Sequence, residues 1–186
     1  MPANDRVNRW WPMVDPAPRV QVKILDPRLE AWGLPRYHSA KAAAIDLRAC
    51  LDEPLALPPG APAVLIPSGI AVHMGDPHMM AVIAPRSGSG HRGLVLGNLV
   101  GVIDADYTGP VMISAWNRGA PGTEPVVIEP GERIAQMVFV PILRPVFETV
   151  TEFSPPGGPP GSTPGESPGP ASGARGVGGF GSTGRG

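Results

Sequence analysis

The sequence predicts an all-β domain, either a barrel or a sandwich, built from many short strands. Short apolar runs recur through most of the chain, and turn residues separate them; the 186 residues include 26 Pro and 25 Gly. No segment keeps a period of 3.6 residues over three helical turns. Many short strands with frequent breaks are typical of antiparallel all-β folds.

The apolar runs give the predicted strands in order along the chain. They are residues 20–25, 45–50, 63–66, 70–74, 79–84, 94–96, 100–104, 111–116, 126–128, 134–141 and 146–150. Turns are predicted where Pro and Gly come together, at residues 58–60, 67–69 and 129–131.

The segment 101–117, GVIDADYTGPVMISAWN, predicts a β-hairpin, because two apolar runs flank Thr108-Gly109-Pro110. Asp104 and Asp106 lie on the approach to this turn. A buried carboxylate is costly unless it is paired or used. Both residues could instead serve as turn formers, since Asp bonds to its own backbone in turns.

The ends of the chain differ from its centre. Residues 1–19 are predicted to be an N-terminal extension, and residues 20–153 the domain. Residues 154–174 carry one charge, Glu166, and no aromatic side chain, which predicts a flexible linker. Residues 175–186 form a Gly-rich arm. Its GVGGFG run lacks the strand and helix that a dinucleotide-binding loop needs.

Charge and cysteine usage restrict the function classes. The formal net charge of −1 gives no bulk attraction toward nucleic acid or an anionic membrane. No apolar run is long enough to span a membrane. Cys50 is the only cysteine, so no intrachain disulfide forms, and a reducing, cytoplasmic location is expected.

Five segments, in chain order, resemble the five motifs of the trimeric deoxyuridine triphosphatases (dUTPases). They are residues 43–49 (AAIDLRA), 85–88 (PRSG), 101–117, 131–136 (GERIAQ) and 175–184 (RGVGGFGSTG). The resemblance runs from about Val20 to the C-terminus. It implies a distorted, jelly-roll-like β-barrel and a homotrimer that hydrolyses dUTP to dUMP and diphosphate. Such an activity limits uracil incorporation into DNA and supplies dUMP for thymidylate synthesis.

The resemblance also implies a role for each site residue. Asp104 would activate the water that attacks the α-phosphorus, and Tyr107 would stack against the deoxyribose. Asn98 would read uracil together with backbone groups of residues 101–112. The implied substrate-binding residues between positions 98 and 112 are Asn98, Gly101, Val102, Ile103, Tyr107 and Met112.

Most of the remaining implied contacts are to phosphate, while Phe180 in the arm would stack on the base. Ser87 and the Gly88 amide would contact the phosphate chain, and Gln136 the α-phosphate. Mg²⁺ would bind mainly through the substrate phosphates and waters, with Asp46 as an outer-shell contact. The other substrate-binding residues implied are Arg86 and Arg133 in the domain, and Arg175, Phe180, Gly181, Ser182 and Thr183 in the arm.

Two other functions share this kind of fold. A dCTP deaminase needs a catalytic Glu and an extended Arg/Ser motif, which the sequence does not show. A nucleotide-binding regulator without catalysis would not need the intact set of catalytic positions. Incubation with dUTP, dCTP and Mg²⁺ distinguishes the three, by release of diphosphate, release of ammonia, or neither.

Overall fold

The computed structural model describes residues 18–153, so the first 17 residues of the extension, the whole linker and the arm lie outside it. The chain divides into two units, Met1–Arg144 and Pro145–Gly186. The first unit holds ten strands and two short helices among the described residues. In order they are β1 (Gln21–Ile24), α1 (Leu29–Trp32), β2 (Ile45–Arg48), β3 (Leu55–Leu57), β4 (Val64–His73), β5 (Met79–Pro85), α2 (Ser87–His91), β6 (Leu94–Leu96), β7 (Gly101–Ile103), β8 (Pro110–Asn117), β9 (Val126–Ile128) and β10 (Arg133–Pro141).

The strands form three sheets, and all the pairings are antiparallel. One four-stranded sheet has the order β1-β4-β8-β6, the other has the order β2-β10-β5-β7, and β3 pairs with β9. The all-β prediction is therefore confirmed, with the jelly-roll-like type of architecture. In the described chain the two larger sheets keep open edges, so the barrel is not closed.

Alternating side chains of these strands build one apolar core. In β8, Val111, Ile113 and Ala115 are buried while the residues between them are more exposed. This is the period of two that a strand with one buried face requires. β10 contributes Ile134 and Met137 from the other large sheet. Both large sheets thus share a single core, and their outer faces remain more exposed.

The single strand β4 stands where two strands were predicted, at residues 63–66 and 70–74. A bulge interrupts it at the predicted break. The pairing of β4 with β8 shifts register between Pro67 and Ala71. Ser68 stays in contact with the neighbouring strand, because its hydroxyl donates a 2.7 Å hydrogen bond to the carbonyl oxygen of Val111. Gly69 has φ +74°, and its carbonyl accepts hydrogen bonds from two backbone N–H groups of residues 25 and 26. Pro67-Ser68-Gly69 interrupts the regular backbone, as its composition predicts, but the strand continues beyond it.

The hairpin prediction for residues 101–117 is wrong in its pairing. Both apolar runs form strands, but β7 pairs with β5 in one sheet and β8 pairs with β4 and β6 in the other. The turn between them therefore connects two sheets. Local turn chemistry predicts a reversal of the chain, whereas the choice of partner strand depends on distant residues.

Four further elements differ from the sequence expectation. The run 146–150 forms no strand, and residues 145–153 contain no helix or strand. The side chains of Val146, Phe147 and Phe153 are 96%, 91% and 95% exposed. A strand needs a hydrogen-bonded partner, and apolar composition alone does not supply one. β3 was missed because its three residues lie between Pro54 and Pro58, and both helices were missed because each is shorter than two turns.

Candidate functional site

Three of the five segments meet at one end of the sheet that contains β2, β10 and β5. Asp46 lies opposite Gln136, and Gln136 lies opposite Ala84. β5 ends at Pro85, so Arg86 follows directly beyond this point. The strand pairing therefore brings the first, second and fourth segments side by side, although they are far apart in sequence.

The Asp46 carboxylate lies among three side chains that can carry positive charge. Its Oδ1 accepts a 2.7 Å hydrogen bond from Nε of Arg86, and its Oδ2 accepts a 3.0 Å bond from Nη1 of Arg133. Nε2 of His38 lies 3.3 Å from Oδ2. The Asp46 side chain is 17% exposed, so the pairs are partly shielded from water and stronger than fully exposed ones.

These contacts hold the guanidinium groups of Arg86 and Arg133 beside each other. Each group keeps N–H donors that these contacts do not use. Arg86 also donates from Nη1 to the carbonyl oxygen of Arg133 at 3.1 Å. A guanidinium has five N–H donors, so each arginine keeps several beyond those that bind Asp46 and the backbone. Arginine donors match the oxygens of a phosphate group in geometry and charge. This end of the sheet can therefore bind a polyphosphate.

Ser87 and Gly88 open the short helix α2 directly after Arg86, and both are exposed. The first N–H groups of a helix have no partner within it. A Cβ at Gly88 would meet nothing within 4 Å, so the space beside this backbone is open. The hydroxyl and these amides lie next to the paired arginines and add uncharged donors for phosphate oxygens.

Gln136 is half-buried, and its amide Nε2 donates a 2.9 Å hydrogen bond to the carbonyl oxygen of Pro85. A polar side chain in an apolar strand needs such a partner. The bond turns the amide toward the end of β5 where Arg86 begins. Gln136 thus belongs to the same cluster as Asp46 and the two arginines.

His38 and Arg48 are two neighbours of this cluster that the sequence analysis missed. Nη1 of Arg48 donates a 2.7 Å hydrogen bond to the carbonyl oxygen of Gly131, and burial lowers the pKa of Arg48. The signal for Arg48 was present, since it lies two residues after Asp46 on the same face of β2. His38 comes from a loop, and nothing in its sequence context indicates Asp46.

The third segment supplies a second group of side chains, around β7 and the turn after it. Asp104 and Tyr107 are exposed, and the backbone N–H of Tyr107 donates a 3.2 Å hydrogen bond to the carbonyl oxygen of Asp104. The Tyr107 hydroxyl donates to the carbonyl oxygen of Pro110 at 2.9 Å. A Cβ at Gly109 would lie 2.6 Å from that hydroxyl oxygen, so the ring position requires glycine there.

Exposed apolar side chains surround this second group. Val102 on β7 and Met112 on β8 are exposed, as is Asn98 in the connection before β7. Gly101 and Ile103 are half-buried. An exposed apolar surface beside an amide and a phenol suits a flat nucleobase and its sugar.

A cavity of about 520 Å³ borders the Asp104 loop on the first unit. Asp104 and Asp106 line it together with His73 and Arg144. None of Arg86, Gln136 and Asn98 lines this cavity. It therefore lies at the Asp104 end of β5 and does not include the phosphate-binding candidates.

The two groups of side chains lie at different ends of β5. Ile103 pairs with Ala81, while Gln136 pairs with Ala84 two strands away. With about 3.3 Å per residue and about 4.8 Å between strands, the Cα atoms of Asp104 and Gln136 lie roughly 16 Å apart. The Gln136 amide is directed toward Pro85, away from the Asp104 end of β5, so the two side chains do not approach to the roughly 7 Å at which both could act on one phosphate through a water. Within one chain, Asp104 therefore does not meet the phosphate-binding candidates.

Residues 18–153 contain no group of three His, Cys, Asp or Glu side chains arranged to hold a metal ion. Both oxygens of Asp46 are occupied by arginine donors. In the same part of the chain, neither helix has the length and apolar character that crossing a membrane would take. The implied arm residues Arg175, Phe180, Gly181, Ser182 and Thr183 lie outside the described residues.

Sequence comparisons identify a single family. The dUTPase family model matches residues 30–158. The deoxyuridine 5'-triphosphate nucleotidohydrolase of Enterobacter sp. (strain 638) is 50% identical over 169 residues, which cover 90% of this chain and 97% of the relative. The corresponding protein of Xanthomonas oryzae pv. oryzae (strain MAFF 311018) is 50% identical over 174 residues, covering 92% and 99%.

Solved structures with a similar fold include dUTPases of staphylococcal phages. A single-residue variant of the Staphylococcus bacteriophage 80alpha dUTPase, solved with dUpNHpp, has a TM-score of 0.66 and 25% identity, covering 91% of this chain and 100% of the phage chain. A second structure of the 80alpha dUTPase has a TM-score of 0.59 and 27% identity, covering 73% and 98%.

Proposed function

Because the chain belongs to the dUTPase family and is therefore a dUTP diphosphatase, we propose that Asp104 activates the attacking water. The carboxylate accepts a hydrogen bond from the water and takes its proton as the oxygen attacks the α-phosphorus in line. The bond from the α-phosphorus to the bridging oxygen breaks, and diphosphate leaves. The products are dUMP, diphosphate and one proton.

The arginine cluster is the phosphate half of this proposed site. Arg86 and Arg133 face the triphosphate, with Ser87, the Gly88 amide and Gln136 as uncharged donors. Asp46 then acts as a positioning residue that holds both guanidinium groups by its two oxygens. These contacts favour that role for Asp46 over an outer-shell contact to a metal ion. Positioned charge of this kind stabilises a phosphoryl transition state without further reorganisation.

The second half binds the nucleoside. Asn98 offers a donor and an acceptor to the edge of uracil, and the backbone of Gly101, Val102 and Ile103 completes the pairing, with Met112 beside it. Tyr107 stacks against the deoxyribose. The bond from its hydroxyl to the carbonyl of Pro110 holds the ring in place. We infer that the ring in this position excludes a 2′-hydroxyl.

The distance along β5 between the two groups of side chains supports a site that is shared between subunits. Asp104 lies roughly 16 Å from Gln136 in one chain, so a complete site takes its nucleoside half and its phosphate half from different subunits. The exposed apolar side chains of Val146, Phe147 and Phe153 are suited to packing on a neighbouring subunit. A homotrimer with three such shared sites is the assembly we propose, with the arm residues 175–186 closing over bound nucleotide.

Mg²⁺ fits this arrangement as an ion that arrives with the substrate. The described residues supply no carboxylate cluster for it, and Mg²⁺ commonly binds through substrate phosphates and waters. When bound, it neutralises phosphate charge, and the residues of the chain hold the phosphates around it. We also propose a cytoplasmic location and the two cellular roles of the family, limiting uracil in DNA and supplying dUMP.

Mixing two inactive variants tests the shared site. Asp104→Asn removes the base, and Arg86→Ala removes a phosphate contact from the other half. Each variant alone is expected to form trimers with little turnover of dUTP. After the two are unfolded and refolded together, random assortment gives about one site in four with both native halves. We expect activity near that fraction of the parent, measured as diphosphate release.

The outcomes of this experiment separate two ideas. If the mixture is no more active than the two variants alone, Asp104 and Arg86 act within one subunit. If Asp104→Asn by itself keeps more than a few per cent of the parent kcat, Asp104 is not the base. Sedimentation equilibrium of parent and variants supplies the control, and a monomeric mass at micromolar concentration contradicts the proposed trimer.

A further inference from the structure

The connection between β6 and β7 carries the chain from one large sheet to the other in four residues, 97–100. Its centre is a γ-turn. The N–H of Val100 donates a 2.7 Å hydrogen bond to the carbonyl oxygen of Asn98, two residues back. Leu99, between them, has φ +64°. A γ-turn with positive φ at its central residue is the rare and strained form.

Leu99 is the one residue other than glycine with positive φ in the part of the chain that the structure describes. This region of backbone space is crowded for a side chain that carries Cβ. The Leu99 side chain is also 74% exposed, so packing within its own chain does little to offset the strain. Strained backbone that local packing does not offset tends to occur at functional sites.

The residues on both sides of the turn are fixed by close contacts. The N–H of Gly97 donates a 2.8 Å hydrogen bond to the carbonyl oxygen of Ser114. A Cβ at Gly97 would overlap Cβ of Ala63, and one at Gly101 would lie 3.1 Å from Cβ of Ile83. The backbone on either side is therefore held close to Ala63, just before β4, and to Ile83 of β5, which leaves no room for a side chain at Gly97 and little at Gly101.

Asn98 lies between the fixed Gly97 and the turn. Its carbonyl oxygen is used by the Val100 N–H, which leaves the exposed side-chain amide as its free recognition group. An amide carries an acceptor and a donor at its two ends, and an amide that rotates freely can satisfy either uracil or cytosine. Discrimination between the two bases therefore needs a backbone that holds the amide in one orientation.

We propose that Leu99 is a positioning residue for base specificity: its strained γ-turn holds the Asn98 amide in the orientation that accepts uracil and rejects cytosine. This inference rests on the proposed function of Asn98. A residue with Cβ has a narrow energy well at this φ, whereas glycine has a wide one. The strain thus restricts backbone motion at the point where the base is read.

Two substitutions separate the backbone effect from that of the side chain. Leu99→Gly widens the accessible backbone, while Leu99→Ala keeps Cβ and removes only the rest of the exposed side chain. We expect Leu99→Gly to raise KM for dUTP about tenfold at nearly unchanged kcat. The ratio of kcat/KM for dUTP over dCTP falls at least tenfold. Leu99→Ala stays within about twofold of the parent in both. The thermal midpoint of Leu99→Gly is equal to or above that of the parent, because glycine relieves strain.

Asn98→Ala, measured beside these variants, distinguishes the failure of this inference from that of the proposed function. If Asn98→Ala keeps the parent preference for dUTP, Asn98 does not read the base, and both ideas are overturned. If Asn98→Ala loses the preference but Leu99→Gly keeps it, the turn has no role in specificity. If Leu99→Ala loses as much as Leu99→Gly, the leucine side chain acts by contact, which also overturns the inference.

Discussion

The Asp46 carboxylate accepts a 2.7 Å hydrogen bond from Nε of Arg86, a residue 40 positions later in the chain. The bond joins the side of β2 that faces away from the core to the first residue beyond β5. Arg133 binds the other oxygen of the same carboxylate at 3.0 Å. One acidic side chain therefore sets the position of two basic ones, and removing its charge should disturb both.

Asp46→Asn should reduce kcat/KM for dUTP about 10- to 100-fold, because a hydrogen bond to a charged group contributes roughly 1.5–3 kcal/mol. The amide keeps the shape of the carboxylate but loses its charge and presents a donor toward a guanidinium. Steady-state diphosphate release measures the effect. Asp52→Asn is the matched control, since Asp52 is an exposed carboxylate bonded to Arg28, outside the arginine cluster. Equal activity of the two variants contradicts the positioning role.

Gly69→Ala should destabilise the protein more than Gly60→Ala. Both glycines have positive φ, at +74° and +80°, so each substitution costs about 1 kcal/mol in backbone strain. A Cβ at Gly69 would also lie 2.5 Å from Sγ of Cys50, whereas one at Gly60 meets nothing within 4 Å. Overpacking adds about 1–3 kcal/mol. Urea unfolding of the two variants measures the difference, and equal destabilisation contradicts the crowding at Cys50.

Asp26→Asn should cost stability at neutral pH and less in acid. The hydrogen-bonded Arg28 holds the pKa of Asp26 at about 2, below its ordinary value of 3.8. Between these values the unfolded chain binds more protons than the folded one, so stability rises with pH. The contribution is complete above the ordinary pKa and is lost as pH falls through the folded value.

Urea unfolding at pH 7 and at pH 3 tests this sign. The destabilisation caused by Asp26→Asn should be smaller at pH 3, while Glu124→Gln, at an exposed carboxyl, should change little at either pH. A loss that is larger in acid than at neutral pH contradicts the ion pair with Arg28 as its origin.

Cys50 should react slowly with iodoacetamide at pH 8 in the folded protein and rapidly in urea. The thiol is buried, and burial raises its pKa to about 11. The thiolate is the reactive form, so both accessibility and charge state protect the side chain. Mass spectrometry of labelled protein against time measures the protection. Equal labelling rates with and without urea contradict the burial.

Truncation after Ala174 should cut dUTP turnover severely and leave the trimer and its thermal midpoint nearly unchanged. The reason is that the arm is proposed to close over bound nucleotide and not to hold the subunits together. Removing about six residues from the linker should have little effect, because closure entropy changes only slowly with length. Full activity of the truncated protein, or loss of the trimer, contradicts a nucleotide-closing arm.

The period of side chains along single strands could be predicted from the sequence. The alternation of Ile45 and Leu47 with Asp46 and Arg48 indicates which face of β2 is buried. The bond from Asp46 to Arg86 could not be predicted this way, because it depends on the register of β2, β10 and β5 together. The resemblance supplied the residues of the candidate site, and the fold showed which of them lie together.

The choice of partner strands, and so of the sheet that each strand joins, could not be predicted from local sequence signals. Thr108-Gly109-Pro110 is a clear turn signal, yet β7 pairs with β5 and β8 pairs with β4, so the two strands join different sheets. The strain at Leu99 was also hidden, since leucine gives no signal for positive φ. A glycine at position 99 would have indicated a turn with positive φ.

The exposed run at residues 145–153 has a consequence for the newly synthesised chain. A free subunit presents Val146, Phe147 and Phe153 almost completely to water. Exposed apolar segments of this kind attract other unfolded or partly assembled chains, so aggregation competes with assembly and gains as unassembled copies accumulate. Slow expression at low temperature, which lets each subunit find its partners before it meets a misfolded chain, should therefore raise the yield of soluble protein more than added salt or ligand.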